Sequence, residues 1–218
     1  MQNRLRISIL SFVVFTLSCA VFFKSAKVAV IFSLLLLVHE AGHLAACSRL
    51  RIASSLPLFI PFVGAFIKTG KPKSAEDEAS LGIGGPLIGT LGCAVQFIWL
   101  RIFWPDDIEA VAGIGWAIIL NLFNMFPIHP LDGGHIAIVL GQWMRTVGLG
   151  MLVLMIWFFP QPILIVVALM ALMSPVPAYE TVKLGRKAAW ALAYVSLLGA
   201  ILFLAVVVGL AFEVVSIH

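Results

Sequence analysis

The stretch 28–50 is an apolar run in which Glu40 is the only acidic residue, with His39 and His43 close beside it. Residues four apart lie on one face of a helix, so both imidazoles can reach the same point in space. The run approaches the ~20 residues that cross the hydrocarbon core of a bilayer. Because ionisable groups at that depth cost about 2.5–3.5 kcal/mol each on insertion scales, three of them within two turns need a common explanation.

The composition places the chain in a membrane. Of its 218 residues, 62% are hydrophobic and 11% are charged, whereas soluble domains average about 25% charged residues. The length suits one membrane domain, residues 1–218, without room for a sizeable soluble unit. The formal net charge of +4 comes from loop lysines and arginines. No basic run coincides with an aromatic platform, so nucleic acid is not an expected partner.

The apolar segments predict an all-α polytopic membrane protein with about six to seven transmembrane helices. Full-length spans are expected at 7–23, 28–50, 80–104 and 188–212. One more span, the fourth in chain order, starts near Ala110 and is predicted to be broken at Pro127 and Pro130. The short segments 147–159 and 162–173 form either two spans joined by a tight turn or one kinked span, and the placement of basic residues favours the former.

Two further segments do not read as spans. Residues 52–67 are apolar but too short and too rich in proline, which predicts a short re-entrant extended hairpin with strand-like pieces at 58–60 and 62–63. Residues 68–79 and 175–187 are polar and are expected to be loops, the first of them clearly solvated.

The cysteines do not predict a disulfide framework, and the N-terminal segment is expected to stay attached. The three cysteines all lie in apolar runs: Cys19, Cys47 and Cys93. An odd number in such positions argues against a disulfide framework. Cys47 follows His43 by four residues, so it could be an additional soft ligand if the two histidines bind a metal ion. A catalytic metal ion also needs one coordination position open for water, which argues against this. The N-terminal segment resembles a signal peptide, yet a second apolar run follows at once, so an uncleaved first span is expected.

The basic residues predict the orientation of the spans. Arg4 and Arg6 place the N-terminus in the cytoplasm, and Arg49 returns there after two crossings, although the lysines between the first two spans point the other way. His43 is six residues from Arg49, or about 9 Å along a helix. The histidines are therefore expected to be embedded, nearer the cytoplasmic face.

Residues 39–43 have the H-E-x-x-H spacing typical of zinc metallopeptidases, in which both histidines bind the metal and the glutamate is the general base. So short a pattern also arises by chance or for packing. Catalytic zinc normally has three protein ligands, and the sequence offers Asp132 and His135, three residues apart after the proline-broken segment. The chemistry favours Asp132 over His135, and zinc is the default ion for a His/His/Asp set.

Several motifs together resemble the site-2 protease family of intramembrane zinc metalloproteases. They are His39-Glu40-Ala41-Gly42-His43, Gly84-Gly85-Pro86-Leu87, Asn124-Met125-Phe126-Pro127 and Leu131-Asp132-Gly133-Gly134-His135. The likeness covers roughly residues 28–180, whereas the last span, 188–212, is less clearly matched and is expected to be peripheral. The chain resembles a minimal form of the family, without a PDZ or nucleotide-sensing domain.

The resemblance implies a role for each matching residue. His39, His43 and Asp132 would bind one zinc ion, Glu40 would be the general base, and Asn124 would hold the substrate backbone or the transition state. The family usually has Leu-Leu-Pro after that asparagine, where this chain has Met125-Phe126-Pro127. His129 has no role that the resemblance assigns.

The implied function is that of an intramembrane zinc-dependent endopeptidase, cutting a membrane-spanning protein, expected to be single-span, within the lipid bilayer. The resemblance implies a multi-pass protein of a bacterial inner membrane. Because a helix hides its carbonyls, the substrate must be unwound, and residues 58–63 could pair with it by edge addition. The alternatives are a metal-ion transporter or channel and an inactive scaffold relative. A transporter predicts ligands strung along a path, whereas these converge on two motifs.

Overall fold

A computed structural model of the chain describes residues 2–61, 63–174 and 179–217. Within those ranges the protein is mostly helical, as predicted, with one short antiparallel pair of strands. The elements in chain order are α1 (Gln2–Phe23), α2 (Ala26–Leu50), β1 (Leu58–Ile60), β2 (Gly64–Phe66), α3 (Ala75–Phe103), α4 (Ile108–Asn124), α5 (Asp132–Leu140), α6 (Trp143–Phe158), α7 (Pro162–Met173) and α8 (Leu184–Ile217).

Four of these helices, α1, α2, α3 and α8, are long and apolar enough to cross a membrane, and α4, α6 and α7 are shorter apolar helices. Large apolar side chains such as Leu10 on α1 and Phe203 on α8 face outward. In water such surfaces would drive association, whereas lipid is as apolar as they are. These features fit a membrane protein, while the number of spans remains a prediction.

The helix α2, which carries His39 and His43, has well-defined ends. The hydroxyl of Ser25 accepts a hydrogen bond from the Val28 N–H, which caps the first turn. At the other end Arg51 adopts a left-handed conformation, and its N–H returns to the carbonyls of the last turn. The caps satisfy backbone groups that the helix itself leaves without partners at both ends of α2.

The helix α3 begins earlier than the sequence suggested, at Ala75 rather than near residue 80. The Ser74 hydroxyl caps it by accepting from the Asp77 N–H, and three acidic residues in its first turn complement the helix dipole. The predicted solvated loop is therefore wrong for residues 75–79. Glu78 is buried, with 5% of its surface exposed.

The strands β1 and β2 form a hairpin in which Phe59 pairs with Ala65. Phe59 is buried and its ring lies 5.0 Å from that of Phe12 on α1. Its N–H donates to the Ser11 hydroxyl at 3.2 Å, so this edge of β1 is occupied by α1. The second strand lies at 64–66, not at 62–63; Val63 is in the turn, and residue 62 lies outside the described residues. Re-entry of the hairpin into the membrane remains a prediction.

The fourth helical segment is interrupted as predicted. The helix α4 ends at Asn124 and the chain becomes helical again only at Asp132, where α5 begins. Further on, α6 and α7 are two separate helices packed on each other. The last helix, α8, starts at Leu184, so the predicted polar loop 175–187 is helical at its end, and residues 175–178 lie outside the described part of the chain.

The helices α2 and α3 approach each other through glycine. A Cβ atom placed on Gly42 would lie 2.2 Å from the Gly84 carbonyl oxygen, and one on Gly84 would lie 2.7 Å from that of Gly42. The two helix backbones can approach this closely only because both residues lack side chains, as in other close helix pairs in membranes. The contact brings α3 against the face of α2 that carries the two histidines.

The charged residues at the far end of α2 are paired. Lys27 lies 3.0 Å from Asp107, just before α4, and Ser25 donates a hydrogen bond to Glu109 at 2.6 Å. The beginning of α2 and the beginning of α4 therefore share one end of the helix bundle, opposite Arg49. Asp107 and Glu109 therefore lie close to Lys27, while the orientation of the spans remains a prediction.

Candidate metal centre

Three residues from distant parts of the chain meet between α2 and α5. Asp132 Oδ2 lies 3.1 Å from His39 Nε2, and Asp132 Oδ1 lies 3.3 Å from His43 Nε2. The two Nε2 atoms are 3.2 Å apart. Tetrahedral ligands about 2.0–2.1 Å from a zinc ion are themselves about 3.3 Å apart. The distances among the two nitrogens and the two carboxylate oxygens are close to this value, so the three side chains are placed to share such an ion.

The other nitrogen of each imidazole has a hydrogen-bond acceptor next to it. His39 Nδ1 lies 2.6 Å from Oδ1 of the buried Asn121, and His43 Nδ1 lies 2.8 Å from the carbonyl oxygen of Leu81. Each Nδ1 must therefore carry a proton, and in a neutral imidazole the Nε2 atom then presents a lone pair. Such outer partners fix the tautomer and orientation of metal-binding histidines in known sites.

When both imidazoles are neutral, electron-pair donors therefore face one another. Asp132 Oδ2 is fully buried and has no hydrogen-bond partner within the described residues, although His39 Nε2 is only 3.1 Å away. Two lone-pair nitrogens and a carboxylate in mutual contact repel each other unless a cation lies among them. The donor set, with two imidazoles and a carboxylate, is suited to zinc.

Gly85 leaves room for the histidines. A Cβ atom on Gly85 would lie 2.2 Å from His43 Nε2 and 2.6 Å from His39 Nε2. Gly89, one turn further along α3, has the same relation to Asn121, whose Oδ1 would lie 2.7 Å from its Cβ. The glycines of α3 therefore serve the centre as well as the packing of the helices.

The two residues predicted to act on the substrate lie on α2 and at the end of α4. Glu40 is buried on α2, next to His39. Asn124 is partly buried at the last position of α4, and none of the hydrogen bonds among the described residues involves its side chain. Their catalytic roles remain predictions.

The alternative ligands considered from the sequence lie elsewhere. His135 turns away from the two histidines, and its Nδ1 lies 2.6 Å from Oε1 of Glu78. Cys47 is buried but is not one of the group formed by His39, His43 and Asp132. Of the two candidates for a third ligand, the fold brings Asp132 to the histidines.

Sequence reasoning missed two residues that contact the histidines or their neighbours. Asn121 precedes Asn124 by three positions and so shares its helix face. This spacing could have identified Asn121 from the sequence. Glu78 was assigned to a loop, yet it precedes Gly82 and Gly85 by four and seven positions, the spacing of one helical face.

Comparison with known proteins gives one distant relationship. No protein-family model matches the chain. The sequence is 28% identical over 139 residues to a zinc metalloprotease of Methanocaldococcus jannaschii, a match that covers 61% of this chain and 40% of that protein. The matched region thus spans less than half of the relative. At this identity, the similarity indicates distant kinship with a metalloprotease.

Proposed function

We propose that this protein is an intramembrane zinc-dependent endopeptidase of the site-2 protease type, which hydrolyses peptide bonds in membrane-spanning proteins. The observation that carries the proposal is the contact of Asp132 on α5 with His39 and His43 on α2. The helix α2, which also carries Glu40, is long enough to span a bilayer. Kinship with a zinc metalloprotease supports it. The proposed setting is a bacterial inner membrane, with the centre nearer the cytoplasmic face.

His39, His43 and Asp132 would hold the zinc ion, and Asn121 and Leu81 would orient the imidazoles. Zinc, when bound, supplies a Lewis acid that polarises the scissile carbonyl and acidifies water. Three protein ligands leave one position open, as catalytic zinc sites require.

Glu40 is the general base in this proposal. Its carboxylate accepts a proton from the attacking water as the new carbon–oxygen bond forms at the scissile carbonyl. When the carbon–nitrogen bond breaks, the same carboxyl delivers that proton to the leaving amine. Burial of Glu40 keeps bulk water from competing for the proton.

Asn124 is proposed to hold the substrate. The amide of Asn121 is already engaged with His39, whereas that of Asn124 is available at the end of α4. An amide N–H from Asn124 can donate to the oxyanion that develops during attack or to a backbone carbonyl of the substrate.

The edge of β2 is proposed to receive the unwound substrate as an added strand. In an antiparallel pair, directly opposite residues point their N–H and C=O groups either toward each other or both outward. Phe59 points its N–H outward, to Ser11, so its partner Ala65 points its own groups away from β1. The edge of β1 is occupied by α1, which leaves the β2 edge for a strand of the substrate. The proposed docking strand thus moves from residues 58–63, where α1 occupies the edge of β1, to β2 at Gly64–Phe66.

One observation favours the rival reading, a metal-ion transporter. A second cluster of possible ligands, Glu78, His129 and His135, lies beside the first group. Ligands arranged in series are expected along an ion pathway. An ion pathway does not require a general base next to a histidine ligand, whereas a peptidase does. The position of Glu40 beside His39 therefore favours the peptidase.

Cleavage by purified protein in liposomes tests the proposal. A single-span substrate is incubated with wild-type protein, with Glu40→Gln and with Glu213→Gln, an exposed glutamate on α8 that serves as the matched control. We expect cleavage by the wild type and by the control, loss with a chelator, and recovery with zinc. The loss in Glu40→Gln should be about 10²–10⁴-fold, the usual contribution of a general base. Zinc uptake into the liposomes without cleavage would support the transporter instead.

A further inference from the structure

A second group of side chains meets at the beginning of α3, apart from the proposed catalytic centre. Glu78 Oε1 lies 2.6 Å from His135 Nδ1 and 3.9 Å from His129 Nε2. The two imidazole rings are 4.6 Å apart in an edge-to-face arrangement. Each of the three residues offers a ligand atom, and these atoms lie within 4.8 Å of one another.

The hydrogen bonds of this group leave one member unsatisfied. The carboxylate of Glu78 accepts from His135 Nδ1 and from the Tyr179 hydroxyl. His129 Nε2 is buried and has no hydrogen-bond partner within the described residues. A structural hydrogen bond between α3 and α5 needs only Glu78 and His135. It does not explain why the Nε2 atom of His129 is buried without a partner there.

Glu78 Oε1 lies between the two imidazoles but closer to one. A displacement of the carboxylate toward His129 would bring both distances closer to the roughly 3.3 Å that separates tetrahedral ligands of a zinc ion. Its side chain is anchored only through carboxylate hydrogen bonds, so this displacement requires no movement of the backbone. The group is thus a near-formed three-ligand set.

Tyr179 provides the outer partner that such a site requires. Its hydroxyl donates to Glu78 Oε2, the oxygen that does not face the histidines. An outer hydrogen bond of this kind orients a ligating carboxylate.

The group is also accessible from the α3 end of the molecule. His129 and Tyr179 line a cavity of about 260 Å³. Glu180 and Thr181 also border it, from the segment before α8. An ion can therefore reach His129 without passing the proposed catalytic centre.

We propose that Glu78, His129 and His135 form a second binding site for a divalent transition metal, separate from His39, His43 and Asp132. Two imidazoles and one carboxylate are the same donor set, which suits zinc. The site stands on its own residues and does not depend on the proposed peptidase activity.

The two sites are adjacent on shared helices. Asp132 and His135 are three residues apart on α5, and Glu78 and Gly85 are seven residues apart on one face of α3. Seven residues of helix correspond to about 10 Å. The second site lies toward the beginning of α3, beside the cavity, and so lies between that end of the molecule and the catalytic centre.

The second site should bind zinc more weakly than the first. A metal there must displace the proton between Glu78 and His135 and shift the carboxylate, whereas the atoms of the first group are already at ligand spacing. A weak site beside a strong one suits metal exchange between the solvent and the centre.

Zinc titration of the purified detergent-solubilised protein tests the proposal. The metal-free chain is titrated in competition with a chromophoric chelator, together with His39→Ala, His129→Ala, His135→Ala, Glu78→Gln and Tyr179→Phe. Glu180→Gln, an exposed neighbour at the same cavity, is the matched control. We expect two zinc equivalents for the wild type and the control, one tight and one weaker.

Each substitution of a ligand should remove one equivalent only. His39→Ala should lose the tight equivalent and keep the weaker one, whereas His129→Ala, His135→Ala and Glu78→Gln should do the reverse. Tyr179→Phe should keep both and weaken the second by about 10–100-fold, as for other outer partners. A single equivalent in the wild type at millimolar zinc overturns the proposal, as does a second equivalent that survives all three ligand substitutions. If an alanine variant misfolds, Glu78→Gln, which keeps the size and the Tyr179 bond, decides the outcome.

Discussion

His39 Nδ1 lies 2.6 Å from the Oδ1 atom of Asn121, a residue 82 positions further along the chain. The bond joins α2 to α4 and fixes the direction in which the other nitrogen of His39 points. The imidazole cannot turn without losing a buried partner. The packing of the two helices therefore sets the orientation of His39 in the proposed metal centre.

Asn121→Ala should weaken zinc binding at the first site by about 10–100-fold, the usual effect of losing an outer partner. Asn121→Asp keeps an acceptor oxygen beside Nδ1 and should retain most of the affinity. Asn124→Ala should leave affinity unchanged and reduce cleavage. Competition titration with a chelator measures the first two effects. Equal affinity in Asn121→Ala and the wild type would show that this bond does not serve the metal.

Gly85→Ala should impair zinc binding, because its methyl group would lie against both Nε2 atoms. Overpacking of this kind costs about 1–3 kcal/mol, which corresponds to about 5–150-fold in affinity. Gly199→Ala on α8 is the control, since a Cβ atom there meets nothing within 4 Å. Zinc content after dialysis distinguishes the two, and a normal content in Gly85→Ala argues against the centre.

Ala65→Pro should reduce cleavage while leaving zinc affinity intact. Proline removes the outward N–H of β2 and preserves the bonds that Gly64 and Phe66 make with β1. Ala65→Ser retains the N–H and should cut normally. The rate of cleavage at several substrate concentrations checks this, and unimpaired cleavage by Ala65→Pro would exclude strand addition at this edge.

Tyr194→Phe should destabilise the protein. The Tyr194 hydroxyl on α8 donates to the carbonyl of Met125, the residue that follows Asn124. Tyr194 and Met125 are both buried. An unpaired buried carbonyl costs about 1–3 kcal/mol. Thermal unfolding in detergent should show a lower Tm than for the wild type. Ser216→Ala, which removes an exposed hydrogen bond on the same helix, should have no effect; similar Tm values for the two variants would contradict the expectation.

The sequence predicted the helical architecture well because its signals are local. Length and hydropathy delimit α1 and α2 within a few residues, and the prolines indicate the break between α4 and α5. The start of α3 was missed because an acidic cluster reads as a solvated loop. Capping by Ser74 and the helix dipole explain why the same acidic residues begin a helix.

The candidate site could be predicted only in part. The spacing of His39 and His43 fixes their common face, whatever the fold. Asp132 and His135 share one turn of α5, so the sequence could favour one of them but not decide between them. The choice depends on how α5 lies against α3, where a Cβ on Gly82 would be 2.6 Å from the Asp132 carbonyl oxygen. Such contacts are tertiary, and no local pattern reveals them.

The central claim is that Asp132 joins His39 and His43 in holding one tightly bound zinc ion. The most direct test is the zinc content of purified protein after dialysis at nanomolar free zinc, measured for the wild type, Asp132→Ala and the exposed control Asp106→Ala. The account predicts one zinc per chain in the wild type and the control, and none in Asp132→Ala. A full equivalent of zinc retained by well-folded Asp132→Ala would contradict it.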